Sequence, residues 1–176
     1  MFPGTKSGNV IERRVLAKEK GNPQEMKSRL LLAQNEYGLT ALHVAIKVSV
    51  AVLEKVWAFA KEVQLNKYEL NNKSLLAQDD YGRTAWYRAA QTGSLAALEE
   101  LWSWAKEAQL KPDELKNKLL LARDKLGNIA WQVSAGTEHV ELLEKLCVCA
   151  KEEQINLSVL KNKLLPAVDK FEKHIW

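Results

Sequence analysis

Leu30–Lys47 reads LLLAQNEYGLTALHVAIK, and the string returns in altered form as SLLAQDDYGRTAWYRAAQ at Ser74–Gln91, LLLARDKLGNIAWQ at Leu119–Gln132 and LLPAVDKFEKHIW at Leu164–Trp176. Its marker alanine falls at Ala33, Ala77, Ala122 and Ala167, spacings of 44, 45 and 45 residues. A second marker, AKE, begins at Ala60, Ala105 and Ala150, and an earlier copy at Ala17 lies 43 residues before Ala60. A fixed period of this size predicts a row of like units, each burying its apolar face against its neighbours. The expected organisation is one continuous stack: a shortened N-terminal unit or cap at 1–32, full units at 33–76, 77–121 and 122–166, and a degenerate stub at 167–176.

Each unit reads as three helices, which makes the expected fold all-α. The first helix starts at a threonine after a glycine, Thr40 or Thr84, whose hydroxyl can cap free amides. The second, SLAALEELWSWAKEA, places Leu98, Leu101, Trp102 and Ala105 at i, i+3, i+4 and i+7, with Ala97, Trp104 and Ala108 as a flanking stripe that calls for neighbours on two sides. The third begins eleven residues before each marker alanine, at Asn22, Asn66, Lys111 and Asn156. Pro23 and Pro112 suit its first turn, and Glu25 and Glu69 complete Asn-x-x-Glu capping arrangements. The turns QNEYG, QDDYG and RDKLG then carry glycine where the backbone turns left-handed.

YGLTALHVAIK at Tyr37–Lys47 resembles the ankyrin-repeat signature, and GSLAALEELW at Gly93–Trp102 resembles that family's second helix. The likeness spans partial to full units between about Ala33 and Ala150. Alanine stands where the family has proline (Ala41, Ala85, Ala130), tryptophan replaces leucine at Trp86, Trp131 and Trp176, and the histidine survives only at His43. The family's unit is ~33 residues, so the additional length here implies an extra short helix per repeat: an ankyrin-like α-solenoid of stacked helix-turn-helix repeats. Armadillo and HEAT solenoids fit the period better but lack the Gly-x-Thr-Ala-Leu-His string. The stub ending at Trp176 reads either as a terminal cap or as the point where a longer array was cut.

Little in the sequence points to catalysis, and the expected activity is none. With 176 residues, 47% apolar and 27% charged, the chain can build a core without metal or disulfides. No apolar run approaches a membrane span, and Met1–Lys20 carries charges where a signal peptide has its apolar stretch. An intracellular, cytoplasmic setting is expected, and a nuclear one also fits. Cys147 and Cys149 stand at the positions of Trp102 and Trp104 and point about 200° apart on a helix, which argues for packing rather than metal or redox chemistry. His43, His139 and His174 are scattered; the resemblance implies that His43 holds loop backbone. Asp79, Asp80 and Asp124 read as solvated turn residues, and the six tryptophans as packing between units. No cofactor and no metal site are expected.

A binding surface is the stronger expectation. The resemblance implies that a protein partner meets the turn tips and the exposed face of the first helices. Carried over by position, these are Tyr37, Lys47, Asp80, Tyr81, Arg83, Arg88, Gln91, Lys125 and Leu126. Val44, Val48, Thr92, Val133 and Thr137 complete the first-helix face. Tyrosine and arginine are the types enriched at interface hot spots. A competing surface is a row of cations before each LLLA run: Lys27, Arg29, Lys73, Lys116, Lys118, Lys161 and Lys163. It could meet an acidic protein or a phosphate backbone, but no aromatic residues interleave with it, so nucleic acid is the less favoured partner. A targeting fragment of a larger protein is a third reading. A monomer without membrane contact is expected.

Overall fold

The apolar stripes of the second helices are the most regular feature of the chain, and they form the most regular elements. The computed structural model describes residues 22–135, 139–156 and 158. The expectations for Ala17, Thr137, Lys161, Lys163, His174, Trp176 and the stub at 167–176 fall outside these residues. In chain order the elements are α1 (Pro23–Leu32), α2 (Ala41–Val48), α3 (Val50–Glu62), a π-helical segment π1 (Glu69–Leu75), α4 (Ala85–Gln91), α5 (Leu95–Glu107), a second segment π2 (Glu114–Leu120), α6 (Ala130–Ala135) and α7 (Val140–Glu152). The described residues are thus all-helical, apart from one isolated bridge between Arg123 and Ile129.

The second helices α3, α5 and α7 each run 13 residues and start 45 apart. Ser49 and Ser94 cap the first two by accepting from Val52 and Ala97 amides at 3.2 and 3.3 Å. Each helix ends at a left-handed residue, Gln64, Gln109 or Gln154, with φ of 52°, 53° and 53°. In the second and third cases the next amide, of Leu110 or Ile155, returns to the carbonyl of Ala105 or Ala150 at 3.1 and 2.9 Å, which closes the helix end with a buried apolar residue beyond it. Glutamine is a costly choice for this conformation, by roughly 1 kcal/mol, and its recurrence two residues after each KE pair is the sequence signal for it.

First helices pack on first helices, α2 on α4 and α4 on α6, while α3 packs on α5 and α5 on α7. The core runs between the rows. Leu53, Leu98 and Leu143 hold one place in successive units, and Ala60, Ala105 and Ala150 another; all six are buried. Cutting one such leucine to alanine removes roughly 2–5 kcal/mol, whereas the alanines let the helices approach. Trp86 and Trp131 fill the place of Leu42 and are fully enclosed. Neither indole N–H finds an acceptor among the described residues. That costs about 1–3 kcal/mol, less than the roughly 4–6 kcal/mol gained by burying 150–250 Å² of ring. The packing role read for the tryptophans therefore holds for Trp57, Trp86, Trp102, Trp104 and Trp131, all buried. Trp104 lies flat on Trp57 with centroids 4.8 Å apart, and Trp102 tilts against Trp86 at 5.7 Å.

The third element of the shortened N-terminal unit, α1, is α-helical. In the next two it widens into π1 and π2, where the amides of Leu76 and Leu121 reach back five residues to the carbonyls of Asn71 and Lys116 at 2.8 and 2.9 Å. Its starts follow the expected capping. Asn22 accepts from the Gln24 amide at 3.1 Å, Asn66 from the Glu69 amide at 3.0 Å, and at Lys111 the missing cap is replaced from the other side, Glu114 accepting the Lys111 amide at 3.2 Å. That bond, with help from Lys118, holds the Glu114 carboxyl below the ordinary glutamate range.

Candidate interaction surface

The turn tips are built three times over from the same bonds. Asn35, Asp79 and Asp124 each open a turn, and each side chain accepts two amides further along it: Tyr37 and Leu39 at 3.0 and 2.9 Å, Tyr81 and Arg83 both at 2.9 Å, Leu126 and Asn128 at 2.9 and 2.8 Å. The glycine that follows adopts left-handed φ, 70° at Gly38, 76° at Gly82 and 86° at Gly127, as its sequence position predicts. Successive tips are then joined. The Asp80 amide donates to the Tyr37 carbonyl at 3.0 Å and the Lys125 amide to the Tyr81 carbonyl at 2.8 Å.

A second brace runs from each first helix to the following tip. His43 is fully buried; its Nδ1 accepts the Thr40 amide at 3.2 Å, so the proton sits on Nε2, which donates to the Arg83 carbonyl at 2.9 Å. This is the loop-holding role expected for it. Burial is the main force that lowers its pKa. In the second unit the same position is Tyr87, whose hydroxyl donates to the Asp124 carboxylate at 2.7 Å. Burial first, then that carboxylate, push the Tyr87 phenol far up. In the sequence, only the equivalence of Tyr87 to His43 signals this role.

These braces hold three apolar side chains outward at one-unit intervals: Tyr37, Tyr81 and Leu126 are 54%, 56% and 87% exposed. Asp80 and Lys125 are exposed beside them, as are Lys47, Gln91, Val44, Val48 and Thr92 on the first helices. Arg83 is half-buried, its guanidinium 4.4 Å from the Tyr81 ring centroid while its Nε donates to Asp79 at 3.0 Å. Two expectations are corrected. Arg88 is buried rather than exposed, because Asp79 draws it in with bonds of 3.0 and 2.7 Å from its Nε and one terminal nitrogen. Asp79 is accordingly no solvated turn residue: its side chain is 0% exposed. Burial pulls its carboxyl up, but the Arg83 amide, Arg88 and the Tyr81 amide together hold it below the ordinary range. Asp124, partly buried, is held down likewise against its burial by Tyr87 and Asn128.

Three of the five described cations in the row have carboxylate partners within the chain. Lys27 pairs with Glu62 at 3.5 Å, Lys73 with Glu69 at 3.6 Å and Lys118 with Glu114 at 3.3 Å. Cys149 is buried and burial pushes its thiol up to about 12; Cys147, half-buried, is raised for the same reason. Among the described residues no group of three or more His, Cys, Asp or Glu is placed to hold a metal, and no helix is long and apolar enough to cross a membrane. No protein-family model matches the sequence, and no curated protein matches it.

Proposed function

We propose that the chain is a non-catalytic scaffold of ankyrin type, an α-solenoid of long units that binds a protein partner through its turn tips and the exposed positions of its first helices. The observation that carries this reading is the row Tyr37, Tyr81 and Leu126, apolar and exposed on tips that are bonded to one another. Large side chains held rigidly outward at regular intervals lose little entropy on binding, and tyrosine is a frequent hot-spot residue. The units' helix–turn–helix order, threonine caps and left-handed glycines support the ankyrin assignment, with the third segment as the added length. With Arg88 buried, the working set is Tyr37, Lys47, Asp80, Tyr81, Gln91, Lys125 and Leu126, with Arg83 fixed behind Tyr81. An intracellular monomer goes with this reading. The lysine row carries less weight as a phosphate-binding face, since Lys27, Lys73 and Lys118 already have carboxylate partners.

The test is quantitative affinity capture from lysate with the wild type and a Tyr37→Ala, Tyr81→Ala, Leu126→Ala variant whose helicity is unchanged by circular dichroism. A partner held by the wild type should fall at least roughly tenfold with the variant, as for loss of a hot-spot cluster. Equal capture by both proteins would remove this face from consideration.

A further inference from the structure

Each second helix leans on its predecessor through one repeated set of contacts. Glu107 on α5 accepts the Trp57 indole N–H at 3.3 Å and the Lys61 ammonium at 3.1 Å. Glu152 on α7 accepts the Trp102 indole at 3.0 Å and lies 4.0 Å from the Lys106 ammonium. Trp104 rests on the Trp57 ring. At α3 the equivalent residues are Glu62 and Phe59, and no second helix precedes them among the described residues. Among the described residues it is Lys27 that meets both, 3.5 Å from the carboxylate and 5.9 Å from the ring centroid. Beside them on α1, Met26 and Leu30 are 50% and 71% exposed, where their equivalents Leu115 and Leu119 are 3% and 2%. Among the described residues, the face that opens the stack is therefore apolar with an acidic edge, and it lacks what α5 and α7 receive from the helix before them.

The sequence immediately upstream has the matching pattern. Ala17-Lys18-Glu19 copies Ala60-Lys61-Glu62, which puts Lys18 at the place of Lys61 and Lys106, and Arg14 at the place of Trp57 and Trp102. A guanidinium can do both jobs of that indole, since it is flat enough to stack on an aromatic ring and carries N–H donors for a carboxylate. Gly21 stands two residues after Glu19, as the left-handed glutamines stand two after Glu62, Glu107 and Glu152, and glycine suits that conformation best. Val10–Lys20 carries four cations, Arg13, Arg14, Lys18 and Lys20, against two anions, Glu12 and Glu19, complementary to Glu62. Only Gly21 lies between it and Asn22, so its local concentration at this face is high.

The geometry points to Val10–Glu19 of the same chain as the occupant of this face, with Arg14 stacked on Phe59 and donating to Glu62, and Lys18 pairing with Glu62. The inference stands apart from any partner at the tips. Hydrogen–deuterium exchange and thermal unfolding of the full chain test it, comparing the wild type, Arg14→Glu with Lys18→Glu, and that variant with Glu62→Arg added. Amides of Phe59–Glu62 should exchange roughly tenfold faster in the first variant, as for loss of a charge-assisted contact. Its melting temperature should drop by about 2–4 °C, and both effects should reverse with Glu62→Arg. Arg14→Gln with Lys18→Gln, which adds no repulsion, should move both readouts in the same direction. Unchanged exchange in both Arg14/Lys18 variants would overturn the proposal. So would a wild-type dimer by light scattering that Leu30→Glu abolishes and Arg14/Lys18 reversal leaves intact, because a second copy would then hold the face.

Discussion

Asp79 marks the place where the middle unit departs from its neighbours. Asn35 does the same turn-closing work without a charge, and opposite it the first unit has Val44 where the second has Arg88. Changing Asp79 to Asn keeps the Oδ1 acceptor for the Tyr81 and Arg83 amides but strands the buried Arg88, and we expect a loss of about 3 kcal/mol. Adding Arg88→Val reproduces the first unit's pairing and should return most of it; urea denaturation of the four proteins of this cycle measures both effects. The buried pair was hidden in the sequence because an aspartate in a turn looks the same whether solvated or enclosed. The hint was an arginine at a position that is valine in the units on either side. The turn glycines, in contrast, were fully legible, yet they are not equivalent. A Cβ on Gly38 would lie 2.7 Å from the Asp80 amide nitrogen, whereas one on Gly127 would meet nothing within 4 Å among the described residues. Both substitutions incur left-handed strain, so Gly127→Ala should cost about 1 kcal/mol and Gly38→Ala roughly 3 kcal/mol, as read by the same denaturation experiment.

First helices show how one structural need is met by three chemistries. The opening turn is closed by His43 Nδ1 accepting the Thr40 amide, by Thr84 Oγ1 accepting the Tyr87 amide at 3.2 Å, and by Gln132 Oε1 accepting the Ile129 amide at 2.9 Å. Only the first titrates. Because burial lowers the His43 pKa below its ordinary 6.5, the unfolded chain takes up this proton before the folded one does. The stability it contributes is present above pH 6.5 and is lost as pH falls through the folded value. The wild-type melting temperature should decline between about pH 7 and pH 5.5. His43→Gln, which borrows the acceptor of the third unit, should be flatter across that window in a calorimetric pH series. Helix existence and order were legible from caps and periodicity. The π-helical form of the third segment was not, because the LLLA run reads alike in both geometries, and the shortened N-terminal unit, with nearly the same run, stays α-helical.

For the whole molecule, the all-helical class was legible in the sequence, and the 45-residue spacing of the markers matches that of the second helices α3, α5 and α7. The exposure of Tyr37, Asp80, Tyr81, Lys125 and Leu126 at the tips was legible too, but the burial of Asp79 at its tip and of Arg88 on its helix was not. The links between units could not be read, because each joins residues 37 to 50 positions apart whose pairing only the stacked geometry supplies. Those links have a direction. His43, Tyr87, Trp57, Trp102, Lys61 and Lys106 all donate forward to the next unit, while the tip amides of Asp80 and Lys125 donate backward; Lys145 with Glu99 at 3.4 Å is a side-chain link of the opposite sense. In a row wired this way, the face each described unit turns forward complements the face it turns backward and differs from it. Contact between copies through these faces would be heterologous, head to tail, and without a two-fold axis to close it such contact propagates as a filament. An occupant of the leading face, as proposed above for Val10–Glu19, would block such propagation.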